Sequence, residues 1–275
     1  MQVRIRSALA AAAVGLALAA TSLAGSRSAP TVHDDTELAA NSTTCGSAQH
    51  IDAGGYSNYT SANFGVRAKI SLDTIRLCKS GTSSSGSSVW VMATAAKDGY
   101  TAKTRSLYAQ AGYEKLGPQW PYAGPKTLHT FSQWTRKCYP TSCAQGVDPA
   151  PTKYGTVAPT NNAMYSVYLN RSTQRILMYV GTKLMDSTDY DPASSGGWDS
   201  AWRGEFFGES YDPNSDVVGT SSDPATITQI QRYEQNGSIN FISTLTPFAQ
   251  IARYHASNYS PSVGGLGLKI WTNPL

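Results

Sequence analysis

The sequence predicts an all-β protein, an antiparallel β-sandwich of the jelly-roll or concanavalin-like kind. Charged residues make up only 15% of the 275 residues, whereas the chain holds 24 glycines, 14 prolines and 16 tyrosines. Short segments that alternate polar and apolar residues recur along the chain with turn residues between them. Outside residues 226–233, which also fit a helical turn, no segment shows three turns of helical periodicity. Short strands of this kind without a repeat period are typical of sandwiches.

The chain begins with the pattern of a secretory signal over residues 1–24. Arg4 and Arg6 precede the apolar run 8–20, and Ser22-Leu23-Ala24 forms a small-residue cleavage site. The apolar run is shorter than the roughly 20 residues that a membrane span needs. We therefore expect a secreted, extracellular protein without a stable membrane anchor. Residues 25–44 are expected to form a flexible leader or short pro-segment, and residues 45–275 a single domain.

Four cysteines follow the signal, at positions 45, 78, 138 and 143. An even number in an exported chain predicts two disulfides. Cys138 and Cys143 are close enough to close a small loop, which leaves Cys45 to pair with Cys78. A zinc site is the alternative, but the chain has no paired C-x-x-C units, and only His50 lies near the first pair.

The strand predictions follow the chain. The clearest segment is 66–72, where apolar and polar residues alternate strictly. Residues 175–180 and 183–185 flank Gly181-Thr182, which predicts a hairpin. The further strand segments are 89–93, 107–113, 128–134, 165–169, 206–207 and 269–271, with a flexible loop at 81–88.

The sequence lacks the residues that several kinds of function require. The net charge of +4 is spread along the chain without a basic block, so we expect no nucleic-acid partner. No serine nucleophile motif, H-E-x-x-H motif or phosphate-binding loop is present, and we expect neither cofactor nor metal. Asp186, Asp189 and Asp191 could ligate calcium, but their spacing is not that of an EF-hand, and a solvated acidic loop is favoured.

Two carboxylates remain as candidates for chemistry. Glu205 and Glu209 share the aromatic segment 205–209 and, four apart in a strand, point to the same face. A carboxyl group among aromatic side chains has a raised pKa and can exchange protons at mildly acidic pH. Two exposed glutamates on an edge strand are the simpler alternative. A glycoside hydrolase pair is disfavoured, because about 13 Å would separate the two residues along a strand.

Six segments in order carry a resemblance to a known family. They are 65–70, 89–91, 108–113, 131–135 with the cysteine loop 138–143, 205–209 and 217–220. Over residues 64–271 this order resembles the catalytic domain of neprosin-like prolyl endopeptidases and, more distantly, the fungal eqolisins. Both are glutamic peptidases built on a β-sandwich. The resemblance implies an endopeptidase with a peptide or protein substrate, and cleavage at proline is the specificity it suggests. An acidic pH optimum follows if Glu209 must take up and release a proton without a basic partner.

The resemblance also implies roles for individual residues. Gln110 lies at the first catalytic position, where eqolisins have glutamine and neprosins glutamate, and Glu209 falls at the second. Glu205 is the accessory acid, or the second catalytic residue if the register is shifted. Gln133 stands where the fungal enzymes have an acid. The residues expected to line the cleft and hold the peptide are Trp90, Tyr113 and Trp134, which could equally be ordinary core aromatics.

A non-catalytic sandwich that binds polysaccharide or a surface partner is the alternative function. Aromatic rings stack on sugar faces, and the chain has 6 tryptophans and 16 tyrosines. The candidates for such a surface are Tyr100, Trp120, Tyr122, Trp198 and Trp202.

Overall fold

Fifteen strands form the fold in this computed structural model, and no helix occurs in the residues that it describes. Those residues are 44–46, 50–73, 75–78, 85–95, 107–117, 127–135, 152–156, 158–192, 198 and 201–273. The strands are β1 (Ile51–Tyr56), β2 (Gly65–Ile70), β3 (Gly86–Ala95), β4 (Leu107–Leu116), β5 (His129–Trp134), β6 (Lys153–Tyr154), β7 (Ala163–Asn170), β8 (Arg175–Val180), β9 (Lys183–Ser187), β10 (Trp202–Ser210), β11 (Ala225–Tyr233), β12 (Ile239–Phe241), β13 (Thr246–Ala249), β14 (Tyr254–Tyr259) and β15 (Gly267–Thr272).

The strands pair into two antiparallel sheets. One has seven strands in the order β13-β1-β10-β3-β4-β5-β6. The other has eight, in the order β14-β15-β11-β2-β7-β8-β9, with β12 paired to β11. Consecutive strands are often distant in the sheets, so β1 pairs with β10, and β3 separates β10 from β4. This arrangement confirms the predicted β-sandwich.

The core lies between the two sheets. Each central strand sends alternate side chains inward, as the period of two requires. On β3 these are Val89, Val91 and Ala93, and they join Val66 and Ala68 of β2 in one buried cluster. At about 25 cal/mol per Å² of apolar surface removed from water, this cluster is the main favourable contribution to folding. We call the other face of the seven-stranded sheet, which points away from this core, the outer face.

The ambiguous segment 226–233 belongs to strand β11, and a β-bulge explains its helical spacing. Ile227 and Ile230 are both fully buried although they are three residues apart. The pairing register with β2 shifts between Thr228 and Gln231, and Gln229 has a φ of 50°. One extra residue in the strand puts i and i+3 on the same face, which mimics a turn of helix.

Cys45 and Cys78 form the predicted disulfide, so these two thiols are not zinc ligands. Cys138 and Cys143, like the signal segment 1–24 and nearly all of the leader, lie outside the described residues, so the second disulfide and the secretory signal stay predictions. No helix in the described part of the chain is long and apolar enough to cross a membrane.

The prediction of a solvated acidic loop is wrong for Asp186. This residue is buried on β9, where its carboxylate accepts a hydrogen bond from Trp134 Nε1 at 3.0 Å and pairs with Lys153 Nζ at 2.7 Å. Each of its two oxygens thus contacts one donor, and both donors come from the opposite sheet: Trp134 from β5 and Lys153 from β6.

Candidate active site

The outer face of the seven-stranded sheet carries three rows of side chains, set by the strand register. The polar row comprises Tyr56, Glu205, Met92, Gln110 and Gln133. The aromatic row comprises Phe248, Phe207, Trp90, Phe131 and Tyr154, with Gly54 and Gly112 between them. The acidic row comprises Asp52, Glu209, Ser88, Glu114 and His129. Successive rows are two residues, or about 7 Å, apart along the strands.

Gln110 and Glu205 are the two members of the polar row that flank Met92. Met92 of β3 pairs with Gln110 on one side and with Glu205 on the other. Two strand spacings put their Cα atoms about 9.5 Å apart. Glu209 lies four residues further along β10, in the acidic row, which puts it about 16 Å from Gln110. The register thus brings Gln110 opposite Glu205 and not opposite Glu209.

Glu205 is held by Arg203, which precedes it by two residues on the same face of β10. Arg203 Nε and Nη2 each lie 2.6 Å from the same oxygen, Oε1 of Glu205. The Glu205 side chain is only 10% exposed, so this pair is screened little by solvent. A charge-assisted contact of this kind keeps a buried carboxylate paired.

Gln110 is oriented by a chain of hydrogen bonds that runs over β4, β5 and the residue before β6. Its Nε2 donates to Gln133 Oε1 at 3.2 Å, and the same oxygen accepts from Tyr108 Oη at 2.9 Å. Gln133 Nε2 in turn donates to Thr152 Oγ1 at 3.0 Å. A primary amide has two N–H groups, so Gln110 keeps a second donor beyond its bond to Gln133.

The aromatic row forms an apolar strip beside the polar row. Trp90, Phe207 and Phe131 make a small cluster of their own, separate from the main core, with Trp90 and Phe207 centroids 5.3 Å apart. Gly112 lies between Trp90 and Phe131 in this row. A Cβ at Gly112 would come within 2.0 Å of the Val89 carbonyl oxygen and 2.8 Å of Trp90 Cβ. Glycine is therefore required at position 112 so that the Trp90 side chain has room to lie over strand β4.

Glu209 belongs to a cluster of ionisable groups in the acidic row. Its Oε2 accepts from Trp90 Nε1 at 3.2 Å, and its Oε1 contacts His50 Nδ1. Asp52 is the cross-strand partner of Glu209. Burial, and then the negative charge of Glu209, raise the pKa of Asp52 to about 7, while His50 acts in the opposite direction.

A buried acid–histidine pair, which the sequence reading did not single out, completes the acidic row. His129 Nε2 lies 3.1 Å from Glu114 Oε1, and both side chains are almost inaccessible, at 5% and 6%. Neither residue belongs to a recognisable motif in the sequence. Both residues nevertheless fall at outer-face positions of adjacent strands, so correct strand pairing would have found them.

The three predicted substrate-binding aromatics do not share one face. Trp90 lies on the outer face in the aromatic row. Tyr113 and Trp134 point into the core, where Tyr113 donates to the Ser71 carbonyl oxygen at 2.9 Å and Trp134 bonds Asp186. Tyr113 is three residues from Gln110, and Trp134 is adjacent to Gln133, so the alternation of a strand directs both away from the polar row.

The aromatic surface expected of a polysaccharide binder is not formed by Trp198 and Trp202. Both are buried, at 5% and 3% exposure, and their rings pack on each other 4.6 Å apart. They are therefore unable to stack on a sugar. Tyr100, Trp120 and Tyr122 lie outside the described residues.

Within the described ranges, the one group of three ligand atoms close enough to hold a metal is Cys45, Cys78 and Asp212. The two sulfurs are bonded to each other, and Asp212 Oδ1 accepts backbone N–H bonds from Gly46 and Asn214. This group is accounted for by the disulfide and its neighbouring turn.

Several solved structures are similar to this chain at low identity. Scytalido-glutamic peptidase with a transition-state analogue inhibitor matches at 14% identity and a TM-score of 0.49, over 81% of this chain and 98% of that one. SCP-B, a member of the eqolisin family of peptidases in complex with the tripeptide Ala-Ile-His, matches at 14% identity and a TM-score of 0.46, over 82% and 100%. The kappa-carrageenase of Pseudoalteromonas carrageenovora matches at 10% identity and a TM-score of 0.33, over 78% and 64%.

No family model matches the sequence, and no curated protein matches it. The resemblance to neprosin-like peptidases therefore stays a prediction.

Proposed function

We propose that this protein is a glutamic endopeptidase in which Glu205 is the general base and Gln110 the oxyanion donor. The observation that carries the proposal is the position of these two side chains on either side of Met92, in one row of the outer face. The sequence resemblance favoured Glu209 as the general base and gave Glu205 as the alternative. We assign the role to Glu205. The reason is distance: about 9.5 Å between Cα atoms leaves room for a water and a peptide carbonyl, whereas about 16 Å does not.

The chemistry needs only these two side chains and water. Glu205 takes a proton from a water, whose oxygen attacks the scissile carbonyl carbon. The second N–H of Gln110, which has no partner among the described residues, donates to the oxyanion of the tetrahedral intermediate. Glu205 then gives its proton to the leaving amine as the C–N bond breaks, which restores the carboxylate. Proton transfer contributes about 10²–10⁴ in rate and one oxyanion donor about 10²–10³.

The surroundings of the pair support this assignment. Counted over the whole residue, Gln110 is 9% exposed and Glu205 7%, so their interactions with a substrate are strengthened by the low dielectric. Gln133 fixes the Gln110 amide without adding a charge. The aromatic row, about 7 Å away, offers an apolar surface to a substrate side chain two residues from the scissile bond.

We further propose that the protein acts outside the cell at acidic pH on peptide or protein substrates. The Cys45–Cys78 disulfide supports an oxidising compartment, since such bonds rarely persist in the cytosol. Cleavage at proline is kept as the specificity to be tested, because it depends on the shape of the pocket.

Incubation of the purified protein with casein between about pH 3 and 8 tests the proposal, with fragments analysed by mass spectrometry. A set of internally quenched peptides with and without proline gives the specificity. We expect internal cleavage that chelators leave unchanged and that Glu205→Gln abolishes. Glu234→Gln is the matched control, because Glu234 is also paired with an arginine two residues earlier but lies just after β11 of the other sheet. A wild-type protein that cleaves nothing over this range would overturn the proposal.

A further inference from the structure

Arg203 contacts the proposed general base in an asymmetric way. Both of its donors, Nε and Nη2, reach Oε1 of Glu205 at 2.6 Å, so the guanidinium does not span the two carboxylate oxygens. Within the described part of the chain, Oε2 of Glu205 accepts no hydrogen bond. One oxygen of the base is thus occupied and the other is left for a water.

Two tyrosine rings hold the Arg203 guanidinium. Its Cζ lies 4.8 Å from the ring centroid of Tyr56 and 4.9 Å from that of Tyr59, distances typical of cation–π contacts. Tyr56 is the cross-strand partner of Glu205, so the same ring borders both members of the pair. An arginine restrained in this way loses little further freedom when it binds the carboxylate.

The segment that carries Tyr59 is attached to β10 on both sides of Arg203. Ser57 N donates to the Gly204 carbonyl oxygen at 2.9 Å, and Thr60 N donates to the Trp202 carbonyl oxygen at 2.9 Å. These backbone bonds fix the tyrosines relative to β10. Arg203 therefore belongs to a rigid support and not to a mobile surface.

We propose that Arg203 is the positioning residue for the general base: it immobilises Oε1 of Glu205 and so keeps Oε2 directed at the attacking water. This inference rests on the proposed function. A base is effective only when its accepting oxygen lies within hydrogen-bond reach of the proton, and misplacement by about 1 Å can cost roughly 10²-fold in rate. In this role Arg203 acts through Glu205 and not on the substrate itself.

The chain contains a matched control for this contact. At the end of β11 in the other sheet, Arg232 Nε and Nη2 reach Oε1 of Glu234 at 3.1 and 2.9 Å, and Glu234 again lies two residues later, just beyond the strand. Arg232→Met removes the same kind of contact and the same charge, but in the sheet that does not carry Gln110. If an Arg-x-Glu contact serves only to stabilise the local structure, Arg203→Met and Arg232→Met should have the same effect.

The test compares kcat and KM for Arg203→Met, Arg203→Lys and Arg232→Met in the full protein, with one quenched peptide that the wild type cleaves. We expect Arg203→Met to lower kcat by about 10- to 100-fold with KM within about twofold. Arg203→Lys, which keeps the charge and one donating nitrogen, should recover part of the lost kcat, and Arg232→Met should match the wild type.

The outcomes separate this inference from the proposed function. An active wild type with an unchanged kcat in Arg203→Met overturns the inference alone. A raised KM with kcat unchanged also overturns it, because Arg203 would then bind substrate. An inactive wild type overturns the proposed function and the inference together. If thermal melts show that Arg203→Met is unfolded, Arg203→Lys decides: a kcat equal to the wild type contradicts the positioning role.

Discussion

Asp52→Asn is expected to stabilise the protein at neutral and alkaline pH. Asp52 lies opposite Glu209 in the acidic row, and its Oδ1 is buried without a hydrogen-bond partner among the described residues. Burial and the charge of Glu209 raise its pKa from 3.8 to about 7. Ionised Asp52 therefore costs the folded state free energy that neutral asparagine, of the same shape, does not.

The pKa shift sets the size and the pH range of the effect. Below about pH 3.8 both the folded and unfolded states hold the proton, and the ionisation of Asp52 contributes nothing to stability. Between about 3.8 and 7 the unfolded state has lost the proton and the folded state has kept it, so stability falls as the pH rises. About three pKa units correspond to about 4 kcal/mol, which is the ceiling of the deficit above pH 7.

Thermal unfolding of the wild type and Asp52→Asn between about pH 4 and 8 measures the difference. We expect Asp52→Asn to be more stable at pH 8 by about 2–4 kcal/mol, or about 5–10 °C in Tm, and equal near pH 4. Asp223→Asn, at an exposed turn, is the control and should follow the wild type. Identical pH dependence of the wild type and Asp52→Asn, or a less stable Asp52→Asn at pH 8, would refute this reasoning.

Three further substitutions test other contacts. Gln133→Leu removes the acceptor that orients the Gln110 amide, so kcat should fall by about 10-fold, while Gln133→Glu keeps an acceptor and should lose less; steady-state kinetics decide this, and equal losses would contradict it. Cys45→Ser opens a disulfide with a sequence separation of 33 and should lower the free energy of unfolding by about 3–4 kcal/mol in denaturant melts, whereas an unchanged midpoint would mean that the bond adds nothing. Gly112→Ala puts a methyl group 2.0 Å from the Val89 carbonyl oxygen, so it should lower Tm and shift the Trp90 fluorescence, and a wild-type melt would show that the strand has room.

Much of the fold is predictable because local pattern and tertiary environment agree. The alternation at 66–72 and the hairpin at Gly181-Thr182 appear in β2 and in the β8–β9 pair. Strand β1 was not predicted, because Ile51–Tyr56 contains two glycines and one acid and has no regular alternation. Its stability comes from pairing on both sides, with β10 and β13, which are distant in sequence.

The candidate site is only partly predictable, because it depends on register. The sequence places Glu205 and Glu209 on one face of a strand, and β10 confirms this. Which of them lies opposite Gln110 depends on the pairing of β10 and β4 with β3, which the local sequence does not contain. Likewise, no sequence motif marks Arg203 or Asp52, because their roles depend on contacts that form only when the strands pair into sheets.

The central claim is that Gln110 works with Glu205, and a comparison of Glu205→Gln with Glu209→Gln tests it most directly. Both variants remove one carboxylate from the same strand and face, four residues apart. We predict that Glu205→Gln lowers kcat/KM by at least about 10³-fold, while Glu209→Gln stays within about 10-fold of the wild type. Loss of activity in Glu209→Gln with retention in Glu205→Gln would contradict the account.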